Sequence, residues 1–289
     1  MSDATSPDPT AERGAGVDDS DGVLDLDNLP DYWELLDRRF AVIEALPDVA
    51  KTPRLTARRF DEAQTAGHRT YFAATRYLGV AMDNHRALVG LMKHVGAGYV
   101  APWSLLRPLF EAAFFACWIL DPETGLDRRR RGLRCEVNDE RERKNHLEAF
   151  KGVPQVSRAI TDELAERDRT VGRTYRAEAK ELGLPWSRAG ERVNVVRELS
   201  TLRFVRTSND PVMLAMLVST WRMLSGIEHG LGYALLRASK ATTEAVVPGG
   251  FVTRLTIDDT AFVTAWKSTA YLLLVAFERL ERLHTRFVN

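Results

Sequence analysis

Apolar side chains recur along most of the chain at intervals of three and four residues, the spacing that places them on one face of an α-helix. From Leu55 to about Val95 this repeat continues without a break and predicts one long helix, which Gly96 and Gly98 end. Asp31 is suited to cap an earlier helix and Asp258 the last one, because a short acidic side chain can accept the free N–H groups of a first turn. The pattern predicts an all-α fold, a multi-helix up-and-down bundle.

The most hydrophobic segment, APWSLLRPLFEAAFFACWILDPE, is apolar nearly all round, which is typical of a central helix with neighbours on several sides. Within its body only Arg107 and Glu111 are charged. They are four residues apart on one helical face, and a buried charge needs a partner, which favours an internal ion pair. Pro108 removes a backbone donor and predicts either a kink or the true first turn of the helix.

The next predicted helix is highly charged and has one solvent-exposed face. It lies in the segment LDRRRRGLRCEVNDERERKNHLEAF. The run from Arg128 to Arg131 points around more than one side of a helix. It therefore cannot form a flat phosphate-binding strip, and we interpret it as a solvated face. Two further helices are predicted as scaffold, one between Pro154 and Gly183 and a shorter one from Glu191 to Val205.

Asn209, Asp210 and Pro211 form a strong start signal, a capping side chain followed by a proline whose missing N–H costs nothing there. The helix that begins at this point carries the segment WRMLSGIEHG. Gly226 and Gly230 within it let another backbone approach closely, or let the helix bend. After it, TTEAVVPGGFVTRLTI predicts one small β-hairpin near the C-terminus, because β-branched residues flank a Pro-Gly-Gly turn.

Composition adds an acidic start to this picture. With 289 residues and 45% hydrophobic content, the chain can bury one sizeable core, predicted as a single helical domain over residues 31–289. Residues 1–30 carry eight acidic side chains against Arg13 alone, a charge of about −7. They contain too few apolar residues to offset the entropy of ordering and are predicted to be a disordered acidic tail. Since the formal charge of the whole chain is zero, the remainder carries about +7.

Several classes of protein are disfavoured by what the sequence lacks. It has no basic, apolar leader and no stretch of about 18 uninterrupted apolar residues, so a cytoplasmic protein without membrane contact is expected. Cys117 and Cys135 have neither CxxC spacing nor a neighbouring His cluster, and two reduced thiols are expected. Of the Glu-x-x-His spacings that a dinuclear metal bundle needs, only Glu281 to His284 occurs. We expect no metal and no other cofactor, and nothing in the sequence is specific for DNA.

The candidate chemistry lies in WRMLSGIEHG, where Arg222 and His229 interrupt a run that is otherwise typical of buried helix. An arginine followed after four to six residues by a histidine occurs at Arg141–His146, Arg222–His229 and Arg279–His284. About two matches are expected by chance, so the apolar context rather than the spacing singles out the middle pair. His229 could be neutral and hydrogen-bonded in the core, could pair with Glu228 or Glu111, or could act as a general acid/base.

The segments LLRPLFEAAFFACWILD and WRMLSGIEHG together resemble an uncharacterised bacterial all-helical family that joins an Arg-x-x-x-Glu core helix to a later Ser-x-x-x-His helix. Arg107, Glu111, Ser225 and His229 carry the resemblance. This family is distantly similar to the HEPN and abortive-infection proteins, and the interval from Arg222 to His229 suits the spaced Arg and His of HEPN ribonucleases. Active members pair two protomers so that Arg and His line an RNA-cleaving groove. The resemblance implies a homodimer with a role in RNA cleavage or phage defence.

Two functional classes remain open at this point. The first is an RNA-directed protein, a metal-independent ribonuclease of the phage-defence or toxin type, with an imidazole as acid/base and a guanidinium that stabilises phosphate charge. The second is a non-enzymatic helical protein that binds a partner or small ligand, with the Arg, Glu, Ser and His set as a buried structural network. The candidate catalytic residues are His229, Arg222, Arg107 and Glu111, and the candidate ligand-binding residues are Ser225 and Glu228. An enzyme needs the imidazole in a solvent-reachable groove, whereas a network needs it enclosed and bonded.

Overall fold

The computed structural model describes residues 29–51, 54–96, 98, 100–208, 210–248 and 250–288. The predicted all-α fold is confirmed, with one small antiparallel sheet near the C-terminus. The helices are α1 (Leu29–Glu44), α2 (Ala57–Glu62), α3 (Gly67–His94), α4 (Ala101–Leu120), α5 (Gly125–Glu148), α6 (Ser157–Arg167), α7 (Arg173–Glu181), α8 (Trp186–Ala189), α9 (Val195–Leu199), α10 (Arg203–Ser208), α11 (Pro211–Glu228), α12 (Gly232–Arg237) and α13 (Asp259–Thr285). The strands are β1 (Ser239–Val247) and β2 (Gly250–Ile257). A 3₁₀ turn (Val49–Lys51) follows α1, and a π-helical turn (Asp168–Gly172) joins α6 to α7.

The first described helix starts earlier than its predicted cap. Residues 1–28, which make up nearly all of the predicted acidic tail, lie outside the described residues. Because α1 begins at Leu29, Asp31 lies in its first turn, and the prediction that Asp31 is the N-cap is wrong. Pro30 explains the earlier start, since a proline in the first turn has no hydrogen bond to lose. The cap predicted for the last helix is confirmed, because Asp258 accepts the Ala261 N–H at 2.7 Å.

The centre of the fold is α4, the segment predicted to be apolar nearly all round. It packs against α3, α5, α11 and α13, so side chains on several of its sides are buried. Trp103, Phe110, Phe114 and Trp118 are each at most 1% exposed. Pro108 lies inside this helix rather than in its first turn. The composition of α4 therefore reflects neighbours on several of its sides.

Both α4 and α13 are long and apolar enough, by length and composition, to cross a membrane. In each, 67% of the most apolar stretch is buried inside the fold, a property that core helices of soluble proteins share. The expectation of a cytoplasmic protein without membrane contact stays a prediction.

The single helix predicted from Leu55 to Val95 is wrong, because the chain forms two helices, α2 and α3, with a reversal between them. Ala66 adopts a left-handed backbone conformation (φ 59°), which a right-handed helix cannot contain. Gly67 then lies so close to α2 that a Cβ atom would be 1.8 Å from the carbonyl oxygen of Asp61. Alanine and glycine at the reversal hardly change the apolar periodicity, so the pattern did not reveal it. Gly96 (φ 90°) ends α3, as predicted.

The arginine run of α5 is not a solvated face, and that prediction is wrong. The guanidinium of Arg128 is 4% exposed and lies 2.6 Å from the carboxylate of Asp61, which is 2% exposed. It also donates to the carbonyl oxygens of Pro122 and Glu123, at 2.7 and 2.8 Å. The Tyr71 hydroxyl donates to the same carboxylate at 2.8 Å. A buried ion pair therefore fixes the junction of α2, α3 and α5.

The other arginines of the run bind different neighbours. Arg129 donates to the Thr65 carbonyl at 3.2 Å, Arg130 to that of Leu182 at 2.8 Å, and Arg131 to that of Trp118 at 2.7 Å. Successive residues of an α-helix point about 100° apart, so consecutive arginines reach separate parts of the surrounding fold. The arginine run therefore stabilises the fold, although it cannot form a flat phosphate-binding strip.

Gly132 marks a close approach of α5 to α3, where a Cβ atom would lie 2.3 Å from Thr70 Oγ1 and 2.6 Å from Thr70 Cα. Gly132→Ala is expected to lower the free energy of unfolding by about 1 to 3 kcal/mol, because the α3 backbone must move to make room. Gly90→Ala, in α3, is the control: the new Cβ meets no atom within 4 Å and should stabilise the helix by about 0.5 to 1 kcal/mol. Urea denaturation measures both variants, and an unchanged midpoint for Gly132→Ala would contradict the packing.

The helix predicted from Glu191 to Val205 is instead two short helices, α9 and α10. Asn194 caps α9 by accepting the N–H of Arg197 at 3.0 Å. Asp121, which follows α4, accepts the N–H of Arg203 at 2.9 Å, at the start of α10. Because a carboxylate outside the helix satisfies this N–H, the chain is free to turn between the two helices.

The remaining predicted elements are confirmed. The helix expected between Pro154 and Gly183 is present as α6, the π-helical turn and α7. The hairpin near Pro248 is formed by β1 and β2, with Val247 opposite Gly250 across the turn. Strand β1 is exposed along almost its whole length.

Both cysteines are free thiols, as predicted. Cys117 and Cys135 are buried, and burial raises the pKa of each thiol, that of Cys135 to about 12. A thiol with so high a pKa stays protonated near neutral pH and is a poor nucleophile.

Candidate functional site

The candidate site is built on α11, which starts where the sequence predicted. Asp210 caps it by accepting the Val212 N–H at 2.8 Å, and Pro211 is its first residue. Arg222 and Ser225 are three residues apart and so share one face of this helix. Both line an open groove, and Arg222 is exposed.

The helix ends at Glu228, so His229 lies just beyond it. Gly230 adopts a left-handed conformation (φ 66°), the usual way for a helix to end. The chain then folds back as α12, so tightly that a Cβ atom on Gly226 would be 2.7 Å from Ala234 Cβ. Gly226 allows the close approach, as one alternative predicted, but the predicted bend within the helix is wrong, because the helix ends at Glu228 and Gly230 lies beyond it. His229, at the turn, is exposed.

One end of the groove is a cavity of about 740 Å³, here named the basic lobe. It is lined by Arg192, Val193, Asn194, Val195, Val196, Arg197, Trp221, Arg222, Ser225, Gly226, His229, Leu231 and Tyr233. Three arginines and one imidazole therefore line a cavity whose wall, within the described residues, has no carboxylate. Such a wall favours an anionic ligand.

The three arginines of the basic lobe differ in how they are neutralised. Arg192 binds Glu142 at 2.7 Å and Arg197 binds Glu191 at 3.2 Å, and these hydrogen bonds raise the pKa of both arginines. Arg222 has no ion pair or hydrogen bond to any described residue. An unpaired guanidinium in the wall of a cavity is free to bind an anion.

Three further polar groups of the basic lobe are also free. The imidazole of His229 and the hydroxyls of Ser225 and Tyr233 make no side-chain hydrogen bond within the described ranges. Tyr233 is 60% exposed and reaches the groove from α12. The lobe thus offers one cation, one group that can carry or release a proton, and two hydroxyls.

The adjoining cavity, of about 720 Å³, is here named the aromatic lobe. It is lined by Arg76, Tyr77, Val80, Arg107, Pro108, Glu111, Ala112, Phe115, Asn138, Asp139, Glu142, Arg192, Val193, Val195 and Trp221. The rings of Tyr77 and Phe115 are stacked, with centroids 5.0 Å apart and planes at 18°. Arg192, Val193, Val195 and Trp221 line both lobes, so the two cavities form one groove.

Arg107 is held at the wall between the lobes. Its guanidinium carbon lies 3.8 Å from the centroid of the Trp221 ring, a cation–π contact. It bonds the Glu111 carboxylate at 3.4 Å and lies 3.6 Å from the Glu228 carboxylate. The predicted pair of Arg107 and Glu111 is confirmed, but Glu111 is 42% exposed and Glu228 shares the guanidinium. Arg107 is thereby fixed in place and neutralised.

Five of the six predicted site residues line the groove, Glu228 lines neither lobe, and the six do not form one cluster. Arg222, Ser225 and His229 line the basic lobe, Arg107 and Glu111 line the aromatic lobe, and Glu228 binds Arg107. Helix α4 packs against α11, and Arg107 on α4 lies 3.6 Å from Glu228 on α11. The alternatives that bury His229 in the core or pair it with Glu228 or Glu111 are wrong, because the turn at Gly230 leaves the imidazole exposed and unbonded to any described residue.

No pattern in the sequence indicated Arg192, Arg197 or Tyr233 as site residues. Arg192 lies just before α9, and Arg197 lies within it. Both are far from Arg222 in the chain, so no periodic pattern connects them to it. Trp221 is next to Arg222, but a tryptophan in an apolar helix is usually buried in the core, so its position in the sequence does not indicate a site residue. Only the fold shows that its ring forms a wall of both lobes.

The other two Arg/His spacings have ordinary surroundings. Arg141 donates to the Gly190 carbonyl at 2.6 Å, and His146 is exposed at the end of α5. His284, near the end of α13, is 4% exposed, and burial lowers its pKa. No three His, Cys, Asp or Glu side chains of the described part of the chain are placed to hold a metal ion.

No protein-family model matches the chain, no curated protein matches its sequence, and no solved structure matches its fold. The function of the groove is therefore inferred from its chemistry.

Proposed function

We propose that this protein is an RNA-directed, metal-independent ribonuclease of the HEPN-like kind, with the basic lobe as its active site. The observation that carries the proposal is the unpaired guanidinium of Arg222 in the same cavity as the free, exposed imidazole of His229. RNA cleavage without a metal needs these two groups, one to stabilise phosphate charge and one to move protons.

In the proposed reaction, the 2′-hydroxyl of a nucleotide attacks its own 3′-phosphate. The bond from the 2′-oxygen to phosphorus forms, and the bond from phosphorus to the 5′-oxygen of the next nucleotide breaks. His229 accepts the 2′-hydroxyl proton, and a proton from the imidazolium or from water reaches the leaving 5′-oxygen. The products are a 2′,3′-cyclic phosphate and a 5′-hydroxyl, and protons and charge balance.

Arg222 donates to the non-bridging oxygens of the reacting phosphate, where charge increases in the transition state. Arg192 and Arg197 bind neighbouring phosphates, because each still has N–H groups to offer, Arg192 beside Glu142 and Arg197 beside Glu191 and Glu198. The Ser225 and Tyr233 hydroxyls position the phosphate by hydrogen bonds. Arg107 and Glu111 are placed as positioning residues, since they bind each other and lie in the adjoining lobe.

The second class, a non-enzymatic protein that binds a partner or a small ligand, is supported by a different observation. Arg107 contacts Trp221, Glu111 and Glu228, which is part of the network that this class requires, although two of its guanidinium nitrogens have no hydrogen-bond partner in the described residues. The network does not include Ser225 or His229. We therefore prefer the ribonuclease. A protein that neither binds nor cuts RNA would instead support the non-enzymatic class.

The homodimer, the defence role and the cytoplasmic location stay predictions that follow from the resemblance and the sequence. One protomer supplies one Arg222 and His229 pair at an exposed groove, and a second protomer facing it would supply another. Sedimentation analysis of the purified chain measures the oligomeric state.

Arg222→Gln is expected to weaken RNA binding by roughly tenfold at low salt and to reduce the slope of log affinity against log salt by about 1, because one phosphate contact is lost. The ligand is a 2′-O-methyl oligonucleotide, which cannot be cut, followed by fluorescence anisotropy. Arg158→Gln is the control, since Arg158 is an exposed arginine of α6 without an ion pair to any described residue. If both variants bind like the wild type, Arg222 does not contact RNA.

A further inference from the structure

The groove contains a second cavity that phosphate chemistry does not use. The aromatic lobe adjoins the basic lobe through Arg192, Val193, Val195 and Trp221, so a ligand whose phosphate lies in one lobe places its attached base near the other. A volume of about 720 Å³ is ample for one nucleobase. The aromatic rings of Tyr77, Phe115 and Trp221 line this lobe, and unpaired RNA bases stack on aromatic rings.

The polar groups of this lobe are not all occupied. Glu111 uses Oε2 to bind Arg107, which leaves its Oε1 without a partner among the described residues. Asn138 accepts from Arg141 with Oδ1, and its Nδ2 amide has no acceptor within the described part of the chain. The lobe therefore presents a free carboxylate acceptor and a free amide donor.

We propose that the aromatic lobe binds the guanine base of the RNA, with Glu111 as the residue that selects it. This inference rests on the proposed function and names the nucleotide that the same groove prefers. Guanine is the RNA base whose Watson–Crick edge has two neighbouring donors, N1–H and the N2 amine, which together match one carboxylate. Its O6 is an acceptor that matches the Asn138 amide.

The other bases fit this set of groups less well. Adenine and cytosine each present one amine beside a ring-nitrogen acceptor, which would face the Glu111 carboxylate unfavourably. Uracil presents one N–H between two carbonyl oxygens. A buried or half-buried carboxylate facing an acceptor loses its hydrogen bonds to water without replacement, which is the basis of base discrimination.

The test compares wild type with Glu111→Gln, because glutamine keeps the shape but offers one acceptor and one donor in place of two acceptors. Arg107 retains Glu228 at 3.6 Å and its contact with Trp221 in this variant, so the wall between the lobes should persist. Glu163→Gln is the control, an exposed carboxylate on α6 paired with Arg143. The unfolding midpoints of all three proteins are measured alongside.

Two readouts are used with the full chain. Calorimetric titration with the four 5′-mononucleotides is expected to give the tightest binding for guanosine monophosphate, by about tenfold, and Glu111→Gln should reduce this preference to threefold or less. Cleavage of adenosine oligonucleotides that contain a single guanosine should occur next to the guanosine in wild type and in Glu163→Gln.

The outcomes separate this inference from the proposed function. Cleavage of mixed-sequence RNA without any guanosine preference, or an unchanged preference in Glu111→Gln, would overturn the base assignment and leave the ribonuclease intact. If wild type neither cuts RNA nor binds any mononucleotide at millimolar concentration, both proposals fail.

Discussion

Replacing His229 with alanine is expected to lower the rate of RNA cleavage by about 10² to 10⁴, the usual effect of losing one general acid/base. The imidazole lies in the wall of the basic lobe with no bond to any described residue, and the other polar side chains of the described wall are guanidiniums, hydroxyls and an amide, which accept protons poorly near neutral pH. RNA binding should change far less than the rate, because a general acid/base acts on the transition state rather than on the bound RNA. Single-turnover cleavage of a labelled oligonucleotide measures the rate, and anisotropy measures the binding.

The same substitution should leave the fold intact. His229 is exposed and lies beyond the end of α11, so its removal creates no cavity and leaves no buried partner. His146→Ala is the matched control, since His146 is also exposed and also follows an arginine at the related spacing. A destabilisation of about 1 to 3 kcal/mol with no RNA cleavage by wild type would instead indicate a structural histidine and favour the second class.

The largest expected effect on stability belongs to Arg128. Arg128→Ala should lower the free energy of unfolding by about 3 to 5 kcal/mol, because it leaves the buried carboxylate of Asp61 without its cation. It also removes the donor to the carbonyl oxygens of Pro122 and Glu123. The Tyr71 hydroxyl would remain as the only other donor seen at this carboxylate in the described residues.

Arg143→Ala on the same helix is the control for charge and helix propensity. Arg143 is 53% exposed and binds only the exposed Glu163, so its loss should change the free energy of unfolding by less than about 1 kcal/mol. Denaturant unfolding followed by circular dichroism compares the two. Equal midpoints for the two variants would show that the ion pair of Arg128 and Asp61 does not hold α2, α3 and α5 together.

The all-α fold could be predicted because a 3.6-residue apolar repeat depends only on local sequence. Caps could be found for the same reason, as Asp210 and Asp258 show. The reversal at Ala66 could not, since a left-handed alanine is stable only when the packing of α2 on α3 holds it. The helix propensity of a residue gives no information about the packing of α2 on α3.

The solvent exposure of charged residues was the least predictable feature. Arg128 and Arg131 have the same sequence surroundings as a solvated arginine run, and their burial depends on which carboxylates and carbonyls other helices bring near. For His229, which follows an apolar helix, burial in the core was one of three alternatives. The turn at Gly230 instead leaves its imidazole exposed.

The candidate site was predictable in part. The resemblance pointed to α4 and α11, and the fold brings Arg107, Glu111 and Arg222 to one groove. The division into two lobes depends on where α9 and α12 pack, which no spacing in the sequence specifies. The positive charge of the basic lobe could not be predicted, because Arg192 and Arg197 lie at α9 whereas Arg222 lies on α11.

The central claim, that the basic lobe cleaves RNA without a metal, is tested most directly by one incubation. Purified wild type is mixed with a labelled single-stranded RNA in excess EDTA, and the products are separated and their ends identified. We expect fragments that end in a 2′,3′-cyclic phosphate, and no cleavage of the same strand made with 2′-deoxynucleotides, because the 2′-hydroxyl is the proposed nucleophile. RNA that stays intact without EDTA as well as with it would contradict the claim, as would cleavage that EDTA abolishes.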